Sequence, residues 1–250
     1  MRFEELLRPF VMSLEPIKPM NHINEHLLEQ LKTQLPFTDS QLDALAKNMS
    51  IRVYRPTDII FDQDEAANFV YLILSGVIRV SYLNSHHKET IVSLLPAGEF
   101  FGLDALMSDA RHPFKSEAFE EASVGSIRPQ SFIETLLGTN YESFLRWYSV
   151  TMQSGRNLYI HCIRGIGLDL RRRLAVELLN LANRFGLPDS RGTLIDLNIS
   201  HEVLANIVGA SRQQVTQYLN DFDREDIIVR EGRRIIVNLA KIQGVVDSPA

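Results

Sequence analysis

Between Ile51 and Ile127, short runs of mostly apolar residues alternate with polar turn stretches, and this texture predicts strands. The runs IRVY, DIIF, FVYLILSG, VIRVSYL, TIVSLL and ASVGSI are rich in β-branched and aromatic residues. Turn-formers such as PTD, NSHHKE and PAGE separate them. Many short strands at this spacing predict a sandwich or barrel. In VIRVSYL, Ile78, Val80 and Tyr82 share one face and Arg79 and Ser81 the other, the pattern of a half-buried strand. Upstream, residues 1 to about 24 hold three prolines with little periodicity and read as an arm. His26 to Leu35 and Thr38 to Met49 read as short amphipathic helices, the second capped by Thr38.

Beyond Pro129 the period lengthens and stays helical. Tyr141, Leu145, Tyr148, Met152, Gly155, Tyr159 and Cys162 follow a 4-3-4-3-4-3 spacing, an apolar seam that fits a two-stranded coiled coil. The alternative is a long helix lying on its own β domain. Gly155 costs such a helix about 1 kcal/mol, which suits close approach of two backbones. GIGLDL breaks the helix; RRRLAVELLNLANRFG resumes one, with Gly186 expected at its C′ position. LIDLNI reads as a strand, and IIVREGRRIIVNL as a hairpin turning at Glu231-Gly232.

Between those two lies SHEVLANIVGASRQQVTQYLND. Wound as a helix, Val203 to Val208 directs Leu204, Ile207 and Val208 inward, and Gly209 supplies a left-handed turn. Ser211 then caps a second helix, with Gln214 three residues on to complete a capping box. Val215, Leu219 and Phe222 form its buried stripe, while Arg212, Gln213, Thr216, Gln217 and Asn220 fall on the opposite face. Ala205 stays small where the second helix crosses it. This is a helix-turn-helix, and Arg and Gln on its outer face can pair with base edges in a major groove. A helical hairpin with a solvated polar face would show the same pattern. A strand before it and the arginines Arg230, Arg233 and Arg234 after it add the layout of a winged helix.

Charge changes the picture only once it is localised. The net charge of −5 is a poor start for binding an anionic polymer. From Gly165 to Ala240, however, ten arginines, no lysines and ten acids leave the segment near neutral. Arginines gathered on one face can still bind phosphate there. Length and composition suit one large or two ordinary soluble domains, and no apolar run approaches a membrane span. The start, MRFEELLRPF, lacks a secretory pattern, which points to the cytoplasm and to no membrane partner. One cysteine, Cys162, rules out an intramolecular disulfide or a multi-cysteine metal site.

Taken in order, a β-roll, a long dimerisation helix and a winged helix-turn-helix resemble the CRP/FNR transcription regulators. The resemblance spans roughly Leu35 to Leu239. It rests most on GASRQQVTQYL, on the YLILSG run ending at Gly76, and on GEFFGLDALMSDARHPF from Gly98 to Phe114. The last stretch, with LPFTDSQLDAL, is more similar to the FNR branch than to the cAMP-binding branch. It implies an α+β fold: an N-terminal extension over 1–34, a cyclic-nucleotide-binding-like β-roll (a double-stranded jelly roll) over 35–135, and a dimerisation helix over 136–165. A DNA-binding domain over 166–240 and a tail over 241–250 follow. By similarity, Arg212, Gln213 and Gln217 occupy base-reading positions with Thr216 beside them. Ser200, His201 and Glu202 occupy backbone-contact positions, and Ser211, Gln214 and the three wing arginines complete the DNA-facing set. The implied partners are double-stranded DNA, a second copy of the chain and RNA polymerase.

The expected effector pocket comprises Gly102, Leu103, Asp104, Lys115 and Ser116. Cyclic-nucleotide binders of this fold place Glu beside the glycine for the ribose and an Arg-Ser or Arg-Thr pair for the phosphate. Leu103 accepts no ribose hydrogen bond, and Lys115 offers a point charge instead of a planar fork, which argues against cAMP. An iron–sulfur cluster of the FNR kind needs four cysteines and is excluded. No cofactor is predicted. Haem stays open, since His22, His26, His86, His87, His112 and His161 lie outside the DNA-reading region, although surface or hydrogen-bonded histidine is the commoner role. Cys162 is a candidate redox thiol across the dimer axis; buried free cysteine is commoner. Two rival functions remain: a cupin-like metal-dependent enzyme, for which the strands lack clustered His and Glu ligands, and a protein-interaction module with a degenerate winged helix. No phosphate loop or nucleophile–base pair supports catalysis, so the chain is read as a non-enzyme.

Overall fold

The computed structural model describes residues 38–86, 88–137, 141, 144–145, 147–149, 151–152, 155–156 and 167–248. The expected arm, the His26–Leu35 helix, His22, His87, Tyr159, His161 and Cys162 lie outside the described residues.

Helix α1 (Asp39–Asn48) starts where the Thr38 cap places it. Thr38 accepts from the Gln41 amide while the Gln41 side chain accepts from the Thr38 amide, a reciprocal capping box. Eight strands follow: β1 (Ser50–Tyr54), β2 (Ile59–Phe61), β3 (Val70–Ser75), β4 (Ile78–Leu83), β5 (Glu89–Leu95), β6 (Phe100–Phe101), β7 (Lys115–Ala118) and β8 (Ala122–Ile127). They form two antiparallel four-stranded sheets, ordered β1-β8-β3-β6 and β2-β7-β4-β5. Tyr71, Ile73, Phe101 and Val124 of the first sheet meet Phe61, Ile78 and Ala118 of the second, the inner core of a roll. The other face of β3 (Val70, Leu72, Leu74) packs on Leu42 and Leu45 of α1, and on Phe132 and Leu136 of α2 (Pro129–Leu137). Burial on both faces explains why VYLIL reads as a continuous apolar run.

Strand β4 departs from the expected alternation. Its pairing with β5 shifts register between Val80 and Ser81, Val92 of β5 being the extra residue, and beyond that point Ser81 is buried and Tyr82 exposed. The bulge thus lies in β5, while the register of β4 against β7 runs on unbroken. Strands β6 and β7 had no clear apolar signal. β7 is buried through its neighbours, Glu117 being covered by Arg79 and Lys115.

The C-terminal unit begins with α3 (Leu170–Phe185), capped by Asp169, which accepts from the Arg172 amide at 2.9 Å. The break in GIGLDL falls just before this cap. Gly186 is not a left-handed C′ residue. Its backbone is extended, it opens β9 (Gly186–Asp189), and a Cβ there would collide with the Ala182 carbonyl and the Thr193 methyl. The strand expected over LIDLNI is instead β10 (Gly192–Ile195), because β9 and β10 form a hairpin through the PDSRG turn. Helices α4 (His201–Val208) and α5 (Arg212–Arg224) follow, then β11 (Ile228–Glu231) and β12 (Arg234–Val237). Glu231 pairs with Arg234, so the two-residue turn is Gly232-Arg233, one position later than the spacing suggested. The sheet order is β11-β12-β10-β9. The expected tail is helical at its start: α6 (Leu239–Asp247), capped by Asn238, buries Ile242 and extends the DNA-binding unit past residue 240.

Candidate nucleic-acid interface

Helix α4 starts at Ser200, whose hydroxyl accepts from the Val203 amide at 3.2 Å, and stops at Gly209 with φ 67°. That left-handed residue is what lets the chain turn sharply enough to launch α5. Ser211 caps α5, and Gln214 accepts from both the Ser211 amide and hydroxyl, at 3.1 and 3.0 Å. The expected DNA contacts Ser211 and Gln214 therefore spend their side chains on the cap. Val215, Leu219 and Phe222 of α5 are buried, and Leu204, Ala205 and Val208 of α4 lie in the same core, so Ala205 is the small residue at the crossing.

Burial of that stripe turns Arg212, Gln213 and Gln217 outward, with Thr216 and Asn220 half-buried beside them. Among the described residues the side chains of Arg212, Gln213 and Gln217 make no hydrogen bond or ion pair. Three exposed, unspent donor side chains on one helix face are what base-edge recognition requires. Glu202 is exposed at the start of α4. His201, next to it, is half-buried, and its Nδ1 lies 2.8 Å from Thr216 Oγ1.

The wing arginines differ from one another. Arg230 donates to Asp223 at 3.0 Å and is mostly covered. Arg234 lies 3.7 Å from Asp196. Arg233 is exposed at the hairpin turn, with no ion pair among the described residues. Sequence reasoning missed Arg191 in the β9–β10 turn. It donates to Asp189 at 3.0 Å and to Glu231 at 2.6 Å, bracing the wing, and it holds the Asp189 carboxyl below the usual range. The turn signal PDSRG was there to be read.

Two family models match the chain in this order: the cyclic nucleotide-binding domain over residues 51–138 and the Crp-like helix-turn-helix domain over 172–244. The chain belongs to the CRP/FNR family. It is 27% identical over 195 residues to the global nitrogen regulator of Synechococcus elongatus, covering 76% of this chain and 86% of that one. The cAMP-activated global transcriptional regulator CRP of Salmonella typhimurium is 27% identical over 209 residues, 81% and 96% of the two chains. Among solved structures, a CRP-family transcriptional regulator of Thermus thermophilus superposes with a TM-score of 0.66 at 25% identity. That match covers 79% of this chain and 97% of the other. The chain is thus a DNA-binding transcription regulator of α+β fold.

In this CRP/FNR regulator the residues expected to form the effector pocket lie in the roll. Leu103 opens a short 3-10 turn (Leu103–Leu106) directly after Gly102. Lys115 Nζ is 2.6 Å from Glu117 Oε2, so the lysine is already ion-paired within the roll, and Arg79 shares that carboxylate while facing Glu89 at 3.6 Å. The Ser116 hydroxyl is buried. His112 is buried and stacks on Phe61, ring centroids 3.6 Å apart. Burial lowers its pKa, against Asp104, whose carboxylate stands 3.5 Å from Nδ1 and pulls the other way. His86 sits in an exposed turn.

The described helical residues between 141 and 156 divide into a covered side and an exposed one. Trp147 is buried edge-on against Phe132, centroids 5.5 Å apart, which anchors it to its own roll. Tyr141, Leu145, Tyr148 and Met152 stay 39–75% exposed within the protomer. Gly155 has open space where a Cβ would stand. Among the described residues no helix is long and apolar enough to cross a membrane.

Proposed function

We propose that this chain acts in the cytoplasm as a homodimer on a two-fold symmetric promoter site, reading bases with Arg212, Gln213 and Gln217 and touching RNA polymerase when bound. The exposed, unspent face of α5 carries this reading. Arg212 forks onto guanine O6 and N7, whereas a glutamine amide matches adenine N7 and N6. Each half-site therefore retains one guanine and shifts toward A·T where the glutamines reach. The exposed row Tyr141, Leu145, Tyr148 and Met152 supports pairing of two copies. Leu103 and the ion-paired Lys115 support an effector other than cAMP, and the chain carries no catalytic activity.

Selection from random duplex DNA tests the base assignment. The wild type is expected to return a symmetric site with A·T steps, and a double variant, Gln213→Glu with Gln217→Arg, a G·C-richer one. The new guanine should be discriminated by about 1–3 kcal/mol. Identical half-sites from both proteins would remove the glutamines from base reading.

A further inference from the structure

His201 opens α4 immediately behind its cap, and its ring reaches across to α5. The Thr216 hydroxyl has one proton, which it donates to the Arg212 carbonyl at 2.8 Å. Nδ1 of His201, 2.8 Å from the same oxygen, must then be the donor in that contact. This fixes the tautomer: in the neutral ring the lone pair sits on Nε2. Thr216 lies beside the base-reading residues, so the ring is held at the junction between that face and the N-terminus of α4, where backbone phosphate is expected. A neutral Nε2 offers a lone pair and repels phosphate; a protonated one donates to it.

We infer that His201 is a proton-linked phosphate contact, taking up a proton as the duplex docks, so that DNA binding tightens as pH falls. The inference rests on the DNA-binding reading of α4 and α5. Burial and the guanidiniums of Arg230 and Arg212 hold the free imidazole below its ordinary value. The amino end of α4 acts in the same direction. Glu202 is the acid beside it on α4, and Asp223 is tied to Arg230. Of the other elements against α4, β5 carries Glu89, close to Arg79, and α3 carries Arg171, Arg172, Arg173, Glu177 and Arg184. Arg171, Arg172 and Arg184 are ion-paired with Glu225, Asp169 and Glu99. A docked phosphate adds a negative charge directly at the ring and raises the value in the complex. The contribution to affinity is complete below the free value, declines between the free and bound values, and is absent above the bound one.

The test is fluorescence anisotropy of the full chain on its selected duplex, from pH 6 to pH 8.5 at fixed ionic strength. Wild-type affinity is expected to fall at least about tenfold from pH 6 to pH 8, with a steeper salt dependence at the lower pH because one more charge per helix-turn-helix meets phosphate. His201→Arg should bind tightly and lose the pH profile. His201→Gln should follow the wild type's weak, high-pH limb at every pH. Equal wild-type affinity at pH 6 and pH 8, or an unchanged profile in both variants, would overturn the inference alone. A chain that binds no duplex at any pH overturns the DNA-binding reading together with it.

Discussion

Arg230 and Arg233 stand three residues apart in the wing, and only their surroundings separate them. Arg230 is held by Asp223 across 3.0 Å, whereas Arg233 occupies the turn beyond the last pair of the ladder. A paired, mostly covered guanidinium has little left for phosphate, and an exposed one has its whole fork. Arg233→Ala is therefore expected to weaken binding to every sequence alike and to reduce the salt slope by about one per wing. Arg230→Ala should leave that slope near wild type and instead destabilise the fold by roughly 0.5–1 kcal/mol, as for a partly exposed ion pair. Salt titrations of duplex binding, with denaturant unfolding of each variant, separate the two. The outward placement of Arg212, Gln213 and Gln217 was legible in sequence because the 3.6-residue period alone turns them away from Val215, Leu219 and Phe222. The pairing of Arg230 was not, since nothing local says that Asp223 faces β11.

At the scale of elements, two glycines mark the difference between backbone and packing demands. Gly209 closes α4 with φ 67° and has open space around it. Gly209→Ala meets strain without crowding and should cost about 1–2 kcal/mol. Gly186 has ordinary extended backbone but no room, its Cβ position filled by the Ala182 carbonyl and Thr193. Gly186→Ala forces β9 away from α3 and should cost at least about 2 kcal/mol. Thermal unfolding of the two variants side by side checks the order; a milder effect at Gly186 would contradict it. The capping signal at Ser211 was readable because a cap is satisfied within four residues. The bulge in β5 at Val92 was unreadable, because it exists only in the pairing with β4.

Across the whole molecule, the roll and the DNA-binding unit share buried surface. Val77, Ile91 and Leu94 of the roll belong to the same apolar cluster as Leu174, Leu204 and Val215. Arg184 of α3 reaches back to Glu99 at 2.7 Å and Ser93 at 3.2 Å. A change in the roll thus has a packed route to α4 and α5. The exposed row Tyr141, Leu145, Tyr148 and Met152 bears on the proposed second copy. Tyr148→Glu or Met152→Glu would bury a charge in the proposed dimer interface and should yield monomers by light scattering. Loss of bivalent engagement should then weaken binding to a two-fold site by about 10²–10⁴. A wild-type monomer that binds a symmetric site tightly would defeat the dimer proposal.

Periodicity, caps and turn chemistry are properties of neighbours in the chain, so the sequence alone determined the order of roll, helix and helix-turn-helix. It determined the left-handed Gly209 and the outward face of α5 for the same reason. Contacts between distant segments obey no local period, and only tertiary structure decided them. The β5 bulge, the close approach at Gly186, the docking of α6, the ion pair of Lys115 and the bond from His201 to Thr216 all arise there. Each depends on which strand or helix arrives opposite, and that is settled by burial of the shared core rather than by any stretch of residues read alone.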